Sequence, residues 1–113
     1  MSERYAAAIE RVAESGGDAD AVLREVVAML AREPGVAWAG IRFLEAGRLV
    51  LGPWAGEPDE RRRLATPILY RGEPVGELVV DGDAPAELSS AVAELVAEHV
   101  LLGWDTQGEP WQP

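Results

Sequence analysis

The groups available for chemistry in this sequence are aromatic rings, arginines and carboxylates, because it has no cysteine and a single histidine. Without cysteine there is no thiolate nucleophile, no thiol redox chemistry and no zinc-thiolate site. One histidine excludes a multi-histidine metal site within one chain. There is also no Ser-His-Asp spacing, no glycine-rich phosphate loop and no cluster with metal-ligand spacing. The sequence therefore predicts no cofactor and no bound metal.

An aromatic wall with one cation could form from Trp38, Arg42, Trp54 and Tyr70, which lie in predicted strands. A wall of this kind suits a small anionic or planar ligand. The same side chains could instead cover the second face of a sheet as a minor core, because aromatic residues most often serve packing. The sequence leaves both interpretations open.

A run of three arginines, Arg61, Arg62 and Arg63, is the densest positive charge in the chain. Such a run could bind a phosphate or a carboxylate through paired N–H groups. The alternative is a solvated loop in which the arginines pair with Asp59 and Glu60. Of the three, Arg63 belongs to the predicted ligand site.

Two carboxylates and the histidine are the remaining candidates for proton transfer. Asp81 and Glu77 lie on one face of a predicted strand and could act as an acid/base pair, or could simply be surface groups. His99 falls within an apolar helical stripe, which favours a partly buried or interface histidine. The predicted ligand-binding set comprises Trp38, Arg42, Trp54, Arg63, Tyr70 and Asp81.

Three helices are predicted from apolar residues at helical spacing and from glycine or proline stops. The first covers 2–15 with Ser2 as N-cap, and the second extends from Asp18 or Asp20 to residue 33. The last begins at Pro85 or at Ser89 and ends near Leu102. Its predicted apolar stripe is Leu88, Val92, Leu95, His99 and Leu102, widened by Val96 and Val100.

Four strands are predicted at 36–45, 48–54, 64–71 and 75–81. The first two form a hairpin around Ala46-Gly47, since glycine takes a positive φ without steric cost. Alternation places Ala39, Ile41 and Phe43 on one face of the first strand. Pro67 indicates an edge position for the third strand, and residues 52–63 form a loop. The short turns favour antiparallel pairing and an α+β class.

Composition limits the range of partners. The chain has 113 residues and a formal charge of −10, so we expect one domain, 1–103, with a tail, 104–113. An acidic surface repels phosphate backbones, so nucleic acid is not an expected partner. No stretch is apolar enough to span a bilayer and the N-terminus lacks a signal-peptide pattern. A cytoplasmic location is the default expectation.

Three segments resemble, in chain order, parts of GAF domains. VAWAGIRFLEAGRLVLGPWAGEP resembles their first hairpin, in particular that of the free methionine-R-sulfoxide reductase group. YRGEPVGELVVDGD resembles the closing hairpin, and LSSAVAELVAEHV resembles the C-terminal helix. The resemblance covers nearly all of the chain except the tail. It implies an antiparallel sheet of strand order 2-1-4-3, helices of both termini on one face, and a ligand pocket on the other.

Two departures from the reductase pattern bear on function. Only residues 52–63 lie between strands 2 and 3, so the segment that would carry the reductase's cysteines is missing, and sulfoxide reduction by a thiol cannot occur. The last strand keeps one acid, Asp81, but has Val79 where the reductase group tends to have another. Half of the polar anchor for an amino-acid ligand is therefore absent.

The first hypothesis is a non-catalytic sensory or binding module that takes a small molecule or a protein partner. It would act as a homodimer through the terminal helices, where apolar surface exceeds what four short strands can cover. A cofactor-independent enzyme using arginine and carboxylate groups is the second. The third is a purely structural interaction protein, in which Trp104 and Trp111 of the tail either pack on the sheet or dock on another protein.

Overall fold

The computed structural model describes residues 3–103, so Ser2 and the tail 104–113, with Trp104 and Trp111, lie outside the described residues. The chain has the predicted α+β order. Its elements are α1 (Glu3–Glu14), α2 (Ala19–Ala31), β1 (Val36–Glu45), β2 (Arg48–Gly56), a 3-10 turn (Glu60–Arg62), β3 (Arg63–Tyr70), β4 (Glu73–Gly82) and α3 (Ala86–Gly103).

The four strands form one antiparallel sheet of order β2-β1-β4-β3, which confirms the predicted order. The two hairpins meet at the centre, where Ile41 of β1 lies opposite Leu78 of β4. β2 and β3 are the two edges. Pro67 lies in the edge strand β3, where its missing N–H breaks no central ladder, as predicted.

Capping contacts decide where two helices begin. Asp18 is the N-cap of α2, since its Oδ1 accepts a hydrogen bond from the backbone N–H of Ala21 at 2.9 Å. In α3 the first turn starts at Pro85, whose carbonyl oxygen accepts from the N–H of Leu88 at 3.0 Å. Ser89 is therefore inside the helix and buried. Among residues 3–103, no helix is long and apolar enough to cross a membrane.

All three helices gather around one hydrophobic core. α2 packs on β1 and β2, α3 packs on β3 and β4, and α1 packs mainly on α2. The core takes Ala39, Ile41 and Phe43 from β1, as predicted, together with Leu78 and Val80 from β4. We call the opposite face of the sheet, which no helix of residues 3–103 covers, the open face.

The inward side of α3 is rotated from the predicted stripe. The buried row is Leu88, Val92, Val96 and Val100, whereas Leu102 is 56% exposed. A second buried row contains the small residues Ala93 and Ala97. Small side chains allow a helix to approach its neighbours closely, so α3 turns these alanines inward and leaves the end of the predicted stripe outside.

Tyr5 attaches α1 to the rest of the molecule. Its side chain is completely buried, and its hydroxyl donates a hydrogen bond to Glu33 Oε2 at 2.5 Å. Arg4 donates to the same oxygen at 2.6 Å. Burial, and then the hydrogen bond and the charge of Glu33, raise the pKa of Tyr5 above its ordinary value.

We expect Tyr5→Phe to lower the free energy of unfolding by about 1–2 kcal/mol at neutral pH, because Glu33 loses a hydrogen bond in a buried setting. A raised folded-state pKa stabilises below the unfolded value of about 10, and this stabilisation is lost as pH rises through the folded value. The difference between wild type and variant should therefore shrink in strongly alkaline solution. Urea titrations at both pH values measure it.

Arg4→Ala is the matched control, because it removes the exposed partner of the same carboxylate. It should cost less than about 0.5 kcal/mol. Equal stabilities of wild type and Tyr5→Phe at neutral pH would contradict the expected role of the hydroxyl.

Candidate functional site

Strand pairing assembles a row of side chains at one end of the open face. Trp38 of β1 lies opposite Asp81 of β4, and Asp81 lies opposite Arg63 of β3. Directly opposed residues of neighbouring strands point to the same face of a sheet, so three chemically different groups meet. Trp54 joins them from β2, opposite Gly40 in the next row. We call Trp38, Trp54, Arg63 and Asp81 the open-face cluster.

The two tryptophans of the cluster are stacked. Their ring centroids are 6.5 Å apart and their planes are 26° from parallel. Trp38 is 4% exposed, whereas Trp54 is 53% exposed. The stack requires a glycine at position 40, because a Cβ atom there would lie 2.5 Å from Cη2 of Trp38. Gly40 thus lets the Trp38 ring lie flat over the sheet.

Arg63 extends the stack by one more planar group. Its guanidinium carbon lies 5.0 Å from the ring centroid of Trp38, in cation–π geometry. The same guanidinium forms a bidentate pair with Asp81: Nε donates to Oδ1 at 2.7 Å and Nη2 donates to Oδ2 at 2.9 Å. Trp54, Trp38 and Arg63 therefore form a continuous row fixed at its inner end by a carboxylate.

Asp81 is fully buried and ionised. Besides Arg63, it accepts a hydrogen bond from the backbone N–H of Asp59 at 2.8 Å. The hydrogen bonds from Arg63 hold the pKa of Asp81 below its usual range, and the Asp59 N–H and the charge of Arg42 act in the same direction against burial. The pairing raises the pKa of Arg63 in turn. The pair is an ionic anchor and lacks the raised pKa of a general acid.

The loop 57–62 closes over this anchor, and its two arginines stay outside. Arg62 donates to Asp59 at 2.8 Å and to Asp83 at 3.3 Å, and Arg61 approaches Asp59 at 3.9 Å. These contacts match the interpretation of a solvated loop. Arg63 alone turns inward, because it is the first residue of β3 and its side chain follows the face of Asp81.

The two remaining predicted site residues, Arg42 and Tyr70, lie on opposite faces of the sheet. Arg42 lies on the open face and pairs with Glu77 at 3.3 Å. Glu77 and Asp81 thus each have their own arginine and do not form a carboxylate pair. Tyr70 does not join the wall. It follows Ile68 at two-residue spacing and packs with it against the helix-side core, where the Arg71 guanidinium lies 5.3 Å from its ring.

His99 and the acidic residues outside the cluster add no catalytic group among residues 3–103. His99 is partly exposed at the flank of α3, and its Nδ1 is buried without a hydrogen-bond partner in the described part of the chain. Within residues 3–103, no group of three or more His, Asp or Glu side chains could hold a metal ion. A surface groove of about 280 Å³ lies between β3 and α3, away from the cluster, lined by Thr66, Pro67, Leu69, Ser90, Ala93 and Glu94.

Two contributors to the site were missed from the sequence. Gly40 has no role in the sequence-based prediction, although a glycine two residues from a tryptophan on one strand face is a usable sign of a ring lying over the backbone. The Asp59 N–H could not be identified from the sequence, because every residue except proline has a backbone N–H donor.

A four-stranded antiparallel sheet with helices on one face and an open second face defines a class of small α+β domain. Comparisons with protein-family models and with curated proteins give no match. Comparison with solved structures gives matches. The GAF domain of Acinetobacter phosphoenolpyruvate-protein phosphotransferase has a TM-score of 0.68 at 15% identity, over 91% of this chain and 94% of that chain. The fold of this chain is GAF-like, as its sequence resemblance implied.

Two reductases show the same fold. The type II free methionine-R-sulfoxide reductase from Thermoplasma acidophilum has a TM-score of 0.59 at 21% identity, over 73% of this chain and 92% of that chain. The fRMsr of Staphylococcus aureus in complex with substrate has a TM-score of 0.56 at 19% identity, over 87% of this chain and 94% of that chain. At these identities the similarity concerns the fold alone.

Proposed function

We propose that this chain is a non-catalytic, GAF-like binding module whose ligand is a small planar molecule that stacks on Trp54. One observation carries the proposal: Trp54 presents half of its surface to solvent at the outer end of a stack that is anchored to a buried ion pair. A large aromatic surface held in one orientation is suited to binding flat ligands.

Preorganisation supports this site. Asp81 has both oxygens occupied by donors, so the anchor is satisfied, and the Trp38 ring interacts with both Trp54 and Arg63. A ligand that stacks on Trp54 would meet a surface already in its bound orientation and would not have to order it. The two-sided burial that a deep pocket gives is not required for such stacking.

The charges favour a planar ligand over an anionic one. Arg63 is neutralised by Asp81, and Arg42 by Glu77, so neither arginine offers an uncompensated positive charge. The exposed indole face is the remaining specific feature of the cluster. We therefore assign recognition to stacking, with Arg42 and Glu77 available for polar contacts at the rim.

The absence of catalysis is part of the proposal. The sequence contains no cysteine, so reduction of a sulfoxide by a thiol has no nucleophile. An acid/base enzyme built on Asp81 would need a raised pKa, whereas the bonds from Arg63 and Asp59 lower it. Glu77 is paired with Arg42. These pairings suit a binding surface.

Ligand-observed saturation-transfer NMR on the full chain tests the proposal, with indole and adenine as planar probes and cyclohexanecarboxylate as the non-planar comparison. We expect transfer to the planar probes in wild type, retention in Trp54→Phe and at least about a tenfold loss of affinity in Trp54→Ala, as for removal of one stacking side chain. Trp54 is exposed, so the variants should fold.

A purified sample analysed by native mass spectrometry supplies an independent measurement, because a retained non-covalent molecule would give its own mass. Equal probe binding by wild type and Trp54→Ala, or no binding of any planar probe at millimolar concentration, would refute the stacking site. Circular dichroism of each variant confirms that the fold is intact.

A further inference from the structure

We propose that the free edge of β2 pairs with the same edge of a second copy of this chain, giving a homodimer with one continuous sheet. Among residues 3–103, β2 pairs with β1 along one edge and with no strand along the other. Its exposed large apolar residues include Leu49 and Leu51, each nearly half exposed, and Val50 between them. An exposed apolar edge strand is a template for further strand pairing.

The two edges of the sheet differ in protection. β3 contains Pro67, which offers no N–H, has an irregular register between Ile68 and Leu69, and is flanked by α3. β2 contains Pro53 and a register shift beyond Leu51, but from Arg48 to Leu51 it has no proline and pairs regularly with β1, and no residue between Arg48 and Glu57 is charged. Natural proteins block edges with the features that β3 has and that this part of β2 lacks.

The distribution of charge favours a second copy at this surface. The strand residues carry three arginines, Arg42, Arg48 and Arg63, and four carboxylates, Glu45, Glu73, Glu77 and Asp81, which gives the strands a formal charge of −1. Nearly all of the formal charge of −10 therefore lies outside the strands, and residues 49–56 of β2 carry no charge. Two copies of so acidic a protein repel least where each is neutral, and a neutral edge offers no attraction to a charged partner of another kind.

The sequence of the edge is symmetric about Val50, because Leu49 and Leu51 flank it. Two antiparallel copies related by a two-fold axis at Val50 place Leu49 opposite the partner's Leu51 and Val50 opposite the partner's Val50. Opposed residues share a face, so the leucines meet on the open face and the valines on the helix side. A two-fold interface requires this kind of self-complementarity.

The terminal helices, where the sequence predicted association, offer less exposed apolar surface for a dimer interface than β2 does. Tyr5 and the row from Leu88 to Val100 are used in the internal core, which leaves Leu101 and Leu102 exposed. These leucines adjoin a helix whose charged residues, Glu87, Glu94 and Glu98, are all acidic. Two copies of α3 would bring like charges together, so we assign the interface to β2.

Sedimentation velocity of the full chain at high micromolar concentration tests the edge. We expect a dimer for wild type and at least about a tenfold weaker dimer for Leu49→Lys and for Leu51→Glu, because each places a charge against an apolar partner. An equimolar mixture of the two variants should recover the dimer, since the introduced ammonium and carboxylate groups then lie opposite each other. Leu69→Lys on the other edge and Leu102→Lys on α3 are matched controls that should stay dimeric.

A monomeric wild type would overturn the proposal. So would loss of the dimer in Leu102→Lys with retention in Leu49→Lys, which would place the interface on the helices. A mixture that stays monomeric while both variants are monomeric would overturn pairing about Val50. Sedimentation reports the mass of the oligomer, whereas the NMR experiment reports binding of planar probes to Trp54. Either proposal can therefore fail without the other.

Discussion

Asp81→Asn should lower the free energy of unfolding at neutral pH by about 2–3 kcal/mol, because it breaks a buried ion pair and leaves one member without its partner. The carboxylate is fully buried and accepts three hydrogen bonds, two from Arg63 and one from the Asp59 N–H. Arg63 is partly exposed, so water recovers some of its lost interaction and limits the effect. Guanidinium chloride titration followed by circular dichroism measures the difference.

The stabilisation by Asp81 has a defined pH dependence. Its folded-state pKa is lowered, so the stabilisation is complete above the unfolded value of about 3.9 and is lost as pH falls through the folded value. Wild type and Asp81→Asn should therefore converge in strong acid and differ by a constant amount above about pH 5.

Asp83→Asn is the control for Asp81→Asn. Asp83 also pairs with an arginine, Arg62, but is highly exposed, so its removal should cost less than about 0.5 kcal/mol. A double-mutant cycle with Arg63→Ala isolates the coupling between Arg63 and Asp81. A coupling near zero would show that the ion pair does not hold the open-face cluster together.

Gly76→Ala should lower the free energy of unfolding by about 3 kcal/mol through a steric conflict at the centre of the sheet. A Cβ atom at position 76 would lie 2.3 Å from the backbone carbonyl oxygen of Arg42 and 3.1 Å from Cγ1 of Val100. A backbone oxygen in a paired strand cannot rotate away, so β1 and β4 would have to separate. Thermal and denaturant unfolding of the variant measure the loss.

Gly47→Ala separates this conflict from the general cost of replacing glycine. Gly47 has a φ of +79° in the first hairpin turn, and a Cβ there would meet nothing within 4 Å. Its substitution should cost about 1 kcal/mol, from backbone strain alone. If the two variants were equally destabilised, the steric argument for Gly76 would be incorrect.

Features set by local signals were predictable from the sequence. Ala46-Gly47 fixed the first hairpin, Pro67 indicated an edge strand, and alternation placed Ile41 and Phe43 in the core. Strand order came from the GAF resemblance, because no local signal states that β1 pairs with β4. The start of α3 stayed open, since Pro85 and Ser89 are both good starting residues and only the tertiary position of Ser89, buried inside the helix, excludes one.

The contacts of the candidate site required the structure. The three consecutive arginines are chemically identical. Only the start of β3 at Arg63 distinguishes this inward-facing arginine from the solvated Arg61 and Arg62, and the sequence does not specify that start. Arg63 and Asp81 are 18 residues apart, so their pairing depends on the β3–β4 register. Tyr70 was grouped by residue type with Trp38, although its spacing from Ile68 already placed it on the other face.

The central pairing of β1 with β4 has a consequence for how the chain reaches its fold. Each hairpin closes through a short turn and involves only local contacts, but the sheet is complete only when the two hairpins meet along β1 and β4. Non-local pairing is slow because chain entropy must be lost first, so we expect docking of preformed hairpins to limit the folding rate. During synthesis the first hairpin emerges well before β4, and until then both edges of β1–β2 are unpaired. The nascent chain therefore passes through an interval in which its most apolar strands depend on dilution or a chaperone to stay unaggregated.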